Sequence, residues 1–188
     1  MEASDDELLL RVGRGDGEAC RALVERHLPR ILAFAARVLG NPADAEDVAQ
    51  ETFTRAWTHA AAWRPGPARF TTWLHTVALN LCRDRRARRR EAQLDDVAEP
   101  PDPAPTAAAR LAEADVSRRV AREVAALPER QREALALCHY QDLTNAEAAA
   151  IMDVGVEALE SLLARARRTL RTRLRPVAGE LLEGMRGS

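Results

Sequence analysis

The sequence FTTWLHTVALNLCRDRRARRR, residues 70–90, decides the predicted fold because it joins an apolar helix face to a basic end. Its apolar residues recur every three or four positions and predict a buried stripe: Phe70, Trp73, Leu74, Val77, Ala78 and Leu81. A polar row runs beside the stripe at Thr72, Thr76, Asn80 and Arg83. Six arginines then fall within residues 83–90, although a helix dipole stabilises each terminal cation by only about 0.3–1 kcal/mol. The surplus of arginine therefore indicates an anionic partner.

The composition of the whole chain predicts an α-helical protein. Of 188 residues, 46% are hydrophobic, 30% are charged and 4% are aromatic, and alanine, leucine and arginine are common. All 28 basic residues are arginine, yet the net charge is only −1. Binding to an anionic partner must therefore come from local basic patches, at residues 83–90 and 165–175.

The sequence also predicts where the protein is found. Its three cysteines form no CxxC pair, so we expect reduced thiols. The N-terminus lacks the pattern of a signal peptide. No stretch approaches the roughly 20 apolar residues that cross a bilayer. We therefore expect a cytoplasmic protein without membrane insertion.

The first half of the chain, residues 5–90, is predicted to form one small helical domain. A helix that ends at Gly40 is followed by NPADAEDVAQETFTRAW, in which Asn41 can cap the next helix and Pro42 suits its first position. The Pro/Gly loop near residue 66 must break that helix before residue 70.

The second half contains a linker, a second domain and a tail. Residues 91–113 are acidic and proline-rich and predict a flexible linker. Residues 114–175 predict a helical domain, and residues 176–188 a C-terminal tail. Thr144 and Glu147 form a capping-box pattern, and a turn at residues 153–155 precedes a basic helix. The predicted fold is therefore all-α, with two small domains joined by the linker and the second ending in a helix-turn-helix.

Several of these residues allow two interpretations. Trp63, Phe70 and Trp73 can belong to the core, or Trp73 can stack on an unpaired base. Asn80 can face solvent or bond to a base edge, and the arginine cluster can be a solvated helix end. The CHYQD motif at residues 138–142 has no partners at metal-ligand spacing. No catalytic or cofactor motif is present, so we expect neither an enzyme nor a cofactor.

Three segments in order resemble the extracytoplasmic-function (ECF) group of bacterial RNA polymerase sigma factors. They are NPADAEDVAQETFTRAW, FTTWLHTVALNLCRDRRARRR and LPERQREALALCHYQDLTNAEAAAIMDVGVEALESLLARAR. The resemblance covers about residues 7–174. It implies a protein that binds core RNA polymerase and directs promoter-specific initiation, under the control of an anti-sigma factor. The acidic linker would lie along basic channels of the polymerase or would serve only solubility.

The resemblance also assigns roles to residues. It implies contacts with the β′ clamp of core polymerase for Asp47, Gln50, Glu51 and Phe53. It implies contacts with minus-ten promoter DNA for Trp63, Arg64, Trp73, Thr76, Asn80, Arg83 and Arg86. It implies contacts with the minus-thirty-five element for Thr144, Ser161, Arg165, Arg167 and Arg168. The chain departs from the family pattern at Glu157, Ala158, Glu160 and Leu162, and acids there would oppose DNA phosphates.

Two other functions fit parts of the pattern. A stand-alone dimeric helix-turn-helix regulator would bind a palindrome without polymerase. An adaptor would bind proteins only, and its function would not depend on Asn80 or Arg165. If the chain is a sigma factor, the isolated protein should bind DNA weakly because its acidic surface repels phosphates.

Overall fold

The computed structural model describes residues 3–66, 69–95, 111–141 and 143–186. These residues form eight α-helices and no strand. The helices are α1 (Asp5–Val12), α2 (Gly17–Leu39), α3 (Pro42–Ala60), α4 (Phe70–Asp95), α5 (Leu111–Ala125), α6 (Glu129–Tyr140), α7 (Asn145–Met152) and α8 (Val156–Arg186). The predicted all-α fold with a helix-turn-helix is confirmed.

The helix ends form where local chemistry predicts them. Gly40 ends α2 with a φ of 70°, a left-handed conformation that glycine adopts without strain. The Asn41 side chain then accepts hydrogen bonds from the first turn of α3, and Pro42 occupies its first position. The predicted capping box of Thr144 and Glu147 is present at α7. An equivalent box at Ser4 and Glu7 opens α1 and was not predicted.

The helices α1 to α4 pack around a core that includes Leu23, Phe34 and Leu74, all fully buried. Burying such a side chain contributes roughly 1.5–3 kcal/mol. Asp5 accepts from Arg26 at 2.6 Å and pairs with His27 Nε2 at 2.9 Å, so α1 is fixed to α2. Burial alone would raise the pKa of Asp5, but the hydrogen bonds from His27 and Arg26 lower it below its ordinary value.

The buried face of α4 differs from the predicted stripe. Phe70, Leu74 and Ala78 are buried as predicted, but Trp73, Val77 and Leu81 are only partly buried. His75, Leu79 and Cys82 complete the buried face instead. The predicted stripe was partly wrong, because it left out His75, Leu79 and Cys82. His75 is accommodated because its Nδ1 donates to the Thr71 carbonyl at 2.8 Å, and burial raises the pKa of the Cys82 thiol to about 12.

The helices α5 to α8 form the second half of the fold. Leu159 and Leu163 of α8 are buried together with Met152 of α7, so the helix-turn-helix has its own apolar contact surface. Val124, Leu127, Leu135 and Ala166 form a smaller cluster where α5, α6 and α8 meet. Asp153 ends α7 in a left-handed conformation with a φ of 55° and makes the predicted turn.

The two halves are packed against each other. Helices α5 and α6 contact α2, α7 contacts α4, and the main apolar core runs through both halves. The domain bounds remain a prediction, but the helices extend beyond three of them. Because α4 ends at Asp95, α5 begins at Leu111 and α8 ends at Arg186, parts of the predicted linker and tail are helical. The central part of the predicted linker, residues 96–110, lies outside the described residues.

Candidate functional site

The first candidate surface lies on α3 and the facing side of α4. Asp47 and Gln50 are exposed, and Glu51 is half-buried and accepts from Arg55 Nε at 2.9 Å. Arg85 of α4 donates from Nε to Asp44 at 2.9 Å and from Nη2 to Asp47. These bonds raise the pKa of Arg85. The surface is therefore a charged groove whose carboxylates are held in place by an arginine on the neighbouring helix.

Phe53 does not belong to this surface. Its side chain is only 6% exposed, and its ring lies 5.6 Å from that of Trp57. The resemblance implies a polymerase contact for Phe53, which stays a prediction; in this structure the ring faces the core. In this conformation its ring packs into the core beneath the exposed side of α3.

The second candidate surface surrounds an aromatic cluster before and along α4. The Trp73 ring is half-buried and stacks on His59, with centroids 5.2 Å apart and planes 11° apart. Trp63 is 6% exposed, and its Nε1 donates to Asp6 at 2.9 Å. Of the two interpretations of Trp63, the structure favours the core in this conformation, and its contact with DNA stays a prediction. Trp73 is the ring that remains accessible at the surface.

The predicted polar row is divided between solvent and protein contacts. Asn80 and Arg64 are exposed. The Thr76 hydroxyl donates to the Thr72 carbonyl at 2.9 Å, so it is bonded within the helix. Arg83 and Arg86 are only partly exposed, and both donate to Glu133 of α6. In this conformation the two arginines are therefore not available to DNA.

The third candidate surface is the outer face of α8. Ser161, Arg165 and Arg168 are exposed opposite the buried Leu159, Leu163 and Ala166, and Arg167 is exposed at the edge of this face. The hydroxyl of Thr144 accepts from the Glu147 N–H at 3.2 Å, and a hydrogen bond from the Thr144 backbone lowers the pKa of Glu147. Thr144 therefore fixes the start of α7 next to the basic face. The predicted amphipathic pattern of this helix is present, and its contact with DNA stays a prediction.

The acidic residues at the start of α8 are exposed as well. Asn145 Nδ2 donates to Glu160 Oε1 at 3.2 Å, and Glu157 lies one turn earlier without burial. The bond to Asn145 directs Glu160 towards the start of α7. The start of α8 is therefore acidic, and the four predicted contacts with the minus-thirty-five element come after it along the helix.

Sequence reasoning missed Asp5, Asp6, Glu133 and Gln141. The first two were interpreted only as helix-terminal charges, yet they bond to His27 and Trp63. Glu133 is one helical turn before Leu137, which is fully buried. A carboxylate in line with an apolar stripe was a signal that it needs a buried cation.

Two family models match this chain, one in each half. Residues 23–92 match Sigma-70 region 2, and residues 117–170 match Sigma-70, region 4. The RNA polymerase sigma factor NccH of Alcaligenes xylosoxydans xylosoxydans is 33% identical, over 88% of this chain and 92% of its own. This chain belongs to the extracytoplasmic-function sigma factors of RNA polymerase. The RNA polymerase sigma-H factor of Pseudomonas aeruginosa is 29% identical over 95% of this sigma factor and 98% of its own length.

Two structures resemble the sigma factor over most of its length. CnrH, in complex with the cytosolic domain of CnrY, is 30% identical with a TM-score of 0.69, and the match covers 93% of this chain and 99% of CnrH. RpoE of Bartonella quintana, in complex with the anti-sigma factor NepR, is 26% identical with a TM-score of 0.66, over 82% and 96% of the two chains. The sigma factor binds core RNA polymerase and directs promoter-specific initiation, so the alternative of a stand-alone regulator is set aside.

Within the described residues, none of the helices has the length and apolarity to cross a membrane.

Proposed function

We propose that the three surfaces divide the work of initiation. The groove of α3 and α4, with Asp47, Gln50 and Glu51, docks on the β′ clamp of core polymerase. The face of α4 with Trp73 and Asn80 takes up unpaired bases of the minus-ten element. The outer face of α8 reads the minus-thirty-five element. The protein acts by binding and not by catalysis, in the cytoplasm.

The observation that carries the proposal is the outer face of α8. Three arginines and a serine are exposed there on the second helix of a helix-turn-helix, and the opposite side of that helix is buried. An exposed basic helix of this kind fits the major groove, and arginine bonds well to guanine. On α4, the exposed amide of Asn80 and the accessible ring of Trp73 lie two helical turns apart, and they offer hydrogen bonding and stacking to unpaired bases.

We further propose that an anti-sigma protein controls this sigma factor. The support is the likeness to CnrH and to RpoE, whose structures contain the cytosolic domain of CnrY and the anti-sigma factor NepR. Affinity purification from the native bacterium, with and without core polymerase competitor, tests for such a partner. Recovery of polymerase alone under all growth conditions would contradict this part of the proposal.

Run-off transcription with purified core polymerase tests the separate roles proposed for these surfaces. Asp47→Ala should weaken binding to core polymerase, with Glu46→Ala as the matched control because Glu46 is an exposed acid of the same helix turn. Asn80→Ala should leave polymerase binding intact and reduce promoter opening, measured by permanganate reactivity of unpaired thymines. Equal polymerase affinity of the Asp47 and Glu46 variants would refute the docking surface.

A further inference from the structure

The basic end of α4 is held by carboxylates of α6. Arg83 Nη2 donates to Glu133 Oε2 at 2.9 Å, and Arg86 Nη2 donates to Glu133 Oε1. Glu129, one turn earlier on α6, lies 2.5 Å from Arg90 and 3.8 Å from Arg86. Two carboxylates of the second half of the chain therefore hold three arginines of the first half.

Burial shows that this contact differs from an ordinary surface ion pair. The Glu133 side chain is 1% exposed and that of Arg86 is 12% exposed. A buried carboxylate requires close cationic partners. Within its own half of the chain, Glu133 has Arg130 at 3.8 Å, a longer distance than that to Arg83. Glu133 thus depends on α4 for its nearest countercharges.

Three further polar contacts lie elsewhere between the two halves. Gln141 Nε2 donates to the Arg30 carbonyl at 3.2 Å, the Arg37 guanidinium lies 3.9 Å from the centre of the Tyr140 ring, and Arg69 lies 3.6 Å from Glu147. Each of them joins the first half to the second.

Arg86 is incompletely bonded in this arrangement. Its Nε and Nη1 are buried and have no hydrogen-bond partner among the described residues. A guanidinium with unused donors gains by exchanging its protein partner for one with more acceptor oxygens. Phosphate groups offer such oxygens. The contact with Glu133 is therefore suited to being replaced by nucleic acid.

We propose that Glu133 and Glu129 are internal substitutes for DNA phosphates, which hold Arg83 and Arg86 in a closed state of the free sigma factor. The arginines become available to the minus-ten region only when the two halves separate. The inference rests on the proposed function for the role of these arginines in DNA binding. The two glutamates and the DNA phosphates then compete for the same guanidinium groups. Any partner that separates the halves therefore also makes Arg83 and Arg86 available to DNA.

The test compares Glu133→Gln, and Glu133→Gln combined with Glu129→Gln, with the wild-type full chain. Glu123→Gln is the matched control, because Glu123 pairs with Arg173 at 3.5 Å inside its own half and carries the same charge. Small-angle X-ray scattering measures the separation of the halves. Fluorescence anisotropy measures binding of a labelled single-stranded minus-ten oligonucleotide across a salt series.

The two glutamine variants should be more extended than wild type and should bind the oligonucleotide more tightly. Freeing two arginines for phosphates should steepen the dependence of log K on log salt by about 1.4, since each single-strand phosphate contact contributes about 0.7. The Glu123 variant should match wild type in both measurements. Variants as compact as wild type, with an unchanged salt slope, would overturn the closed state.

The outcomes separate this inference from the proposed function. If the variants expand but DNA affinity and salt slope stay unchanged, the closed state exists but Arg83 and Arg86 do not contact DNA, and the inference fails on that step. If circular dichroism shows that the variants do not fold, scattering of the wild-type chain tests the closed state instead. A wild-type chain that is extended in scattering before DNA is added refutes the closed state, whereas a compact one that expands on oligonucleotide binding supports it.

Discussion

Replacing Arg165 by alanine is the sharpest test of how the α8 face works. Arg165 is exposed, and the described residues provide it with neither a hydrogen bond nor an ion pair. Its loss should therefore change the free energy of unfolding by less than about 0.5 kcal/mol. Any larger effect on transcription must then come from contact with a partner.

The size of that effect follows from the chemistry of the contact. A bidentate arginine–guanine pair is worth about 1–3 kcal/mol of discrimination. Since about 1.4 kcal/mol corresponds to a tenfold change in affinity, promoter binding by the polymerase complex should fall by about 5- to 140-fold. The loss should disappear on a template whose minus-thirty-five guanines have been replaced, because no base contact remains to be lost there.

The assay is run-off transcription at limiting promoter, with Arg171→Ala as the control. Arg171 is exposed on the same helix and is also unpaired among the described residues, so both variants lose one positive charge. A loss of phosphate attraction alone would affect the two variants equally and would not depend on promoter sequence. Equal losses for the two variants would therefore refute a base-reading role for Arg165.

Three further predictions concern the fold that presents these surfaces. Thr144→Ala should lower the free energy of unfolding by about 1 kcal/mol through loss of the cap, and Thr144→Ser should restore it, as measured by urea titration. Gly13→Ala should destabilise by about 1–3 kcal/mol, because the added Cβ would lie 2.9 Å from the Ala60 carbonyl oxygen; Gly17→Ala, with nothing within 4 Å, should be neutral or slightly stabilising. Since the folded-state pKa of Asp5 is lowered, its stabilisation is complete above the ordinary carboxyl pKa and is lost as the pH falls through the lowered value. Asp5→Asn should therefore cost about 2 kcal/mol at neutral pH and little in strong acid, and equal costs at both would show that the charge of Asp5 is irrelevant.

The parts of the fold predicted correctly are those decided by local chemistry. Asn41 with Pro42, and Thr144 with Glu147, start helices through bonds to residues at most three positions away. The spacing of Leu159 and Ala166 sufficed to orient α8, because one side of that helix is polar throughout. In such places the sequence contains both partners of the deciding contact within one helical turn.

The errors arise where the partner is distant in sequence. The predicted buried face of α4 is rotated about the helix axis relative to the observed one. The sequence could not show this, because the burial of His75 and Cys82 depends on the helices that surround them. The sequence left the burial of Trp63 open, because Asp6, which accepts the Trp63 N–H, is far away in the chain. The contact of Arg83 with Glu133 spans 50 positions. No local pattern encodes a contact of that kind.

The pairing of arginines explains why local charge and DNA affinity need not agree. On α4, Arg85 bonds to Asp44 and Asp47 within the first half, so this pair persists when the halves separate. Arg83, Arg86 and Arg90 of the same helix bond across the halves, so these three lose their partners when the halves separate. On α8 the exposed arginines at 165, 167 and 168 are unpaired among the described residues in the closed arrangement. The closed chain therefore presents the basic face of the helix-turn-helix while Glu133 occupies Arg83 and Arg86 of α4. Substitution of Arg165 should accordingly weaken binding of duplex DNA by the free chain, whereas substitution of Arg83 should weaken promoter binding only in the presence of polymerase.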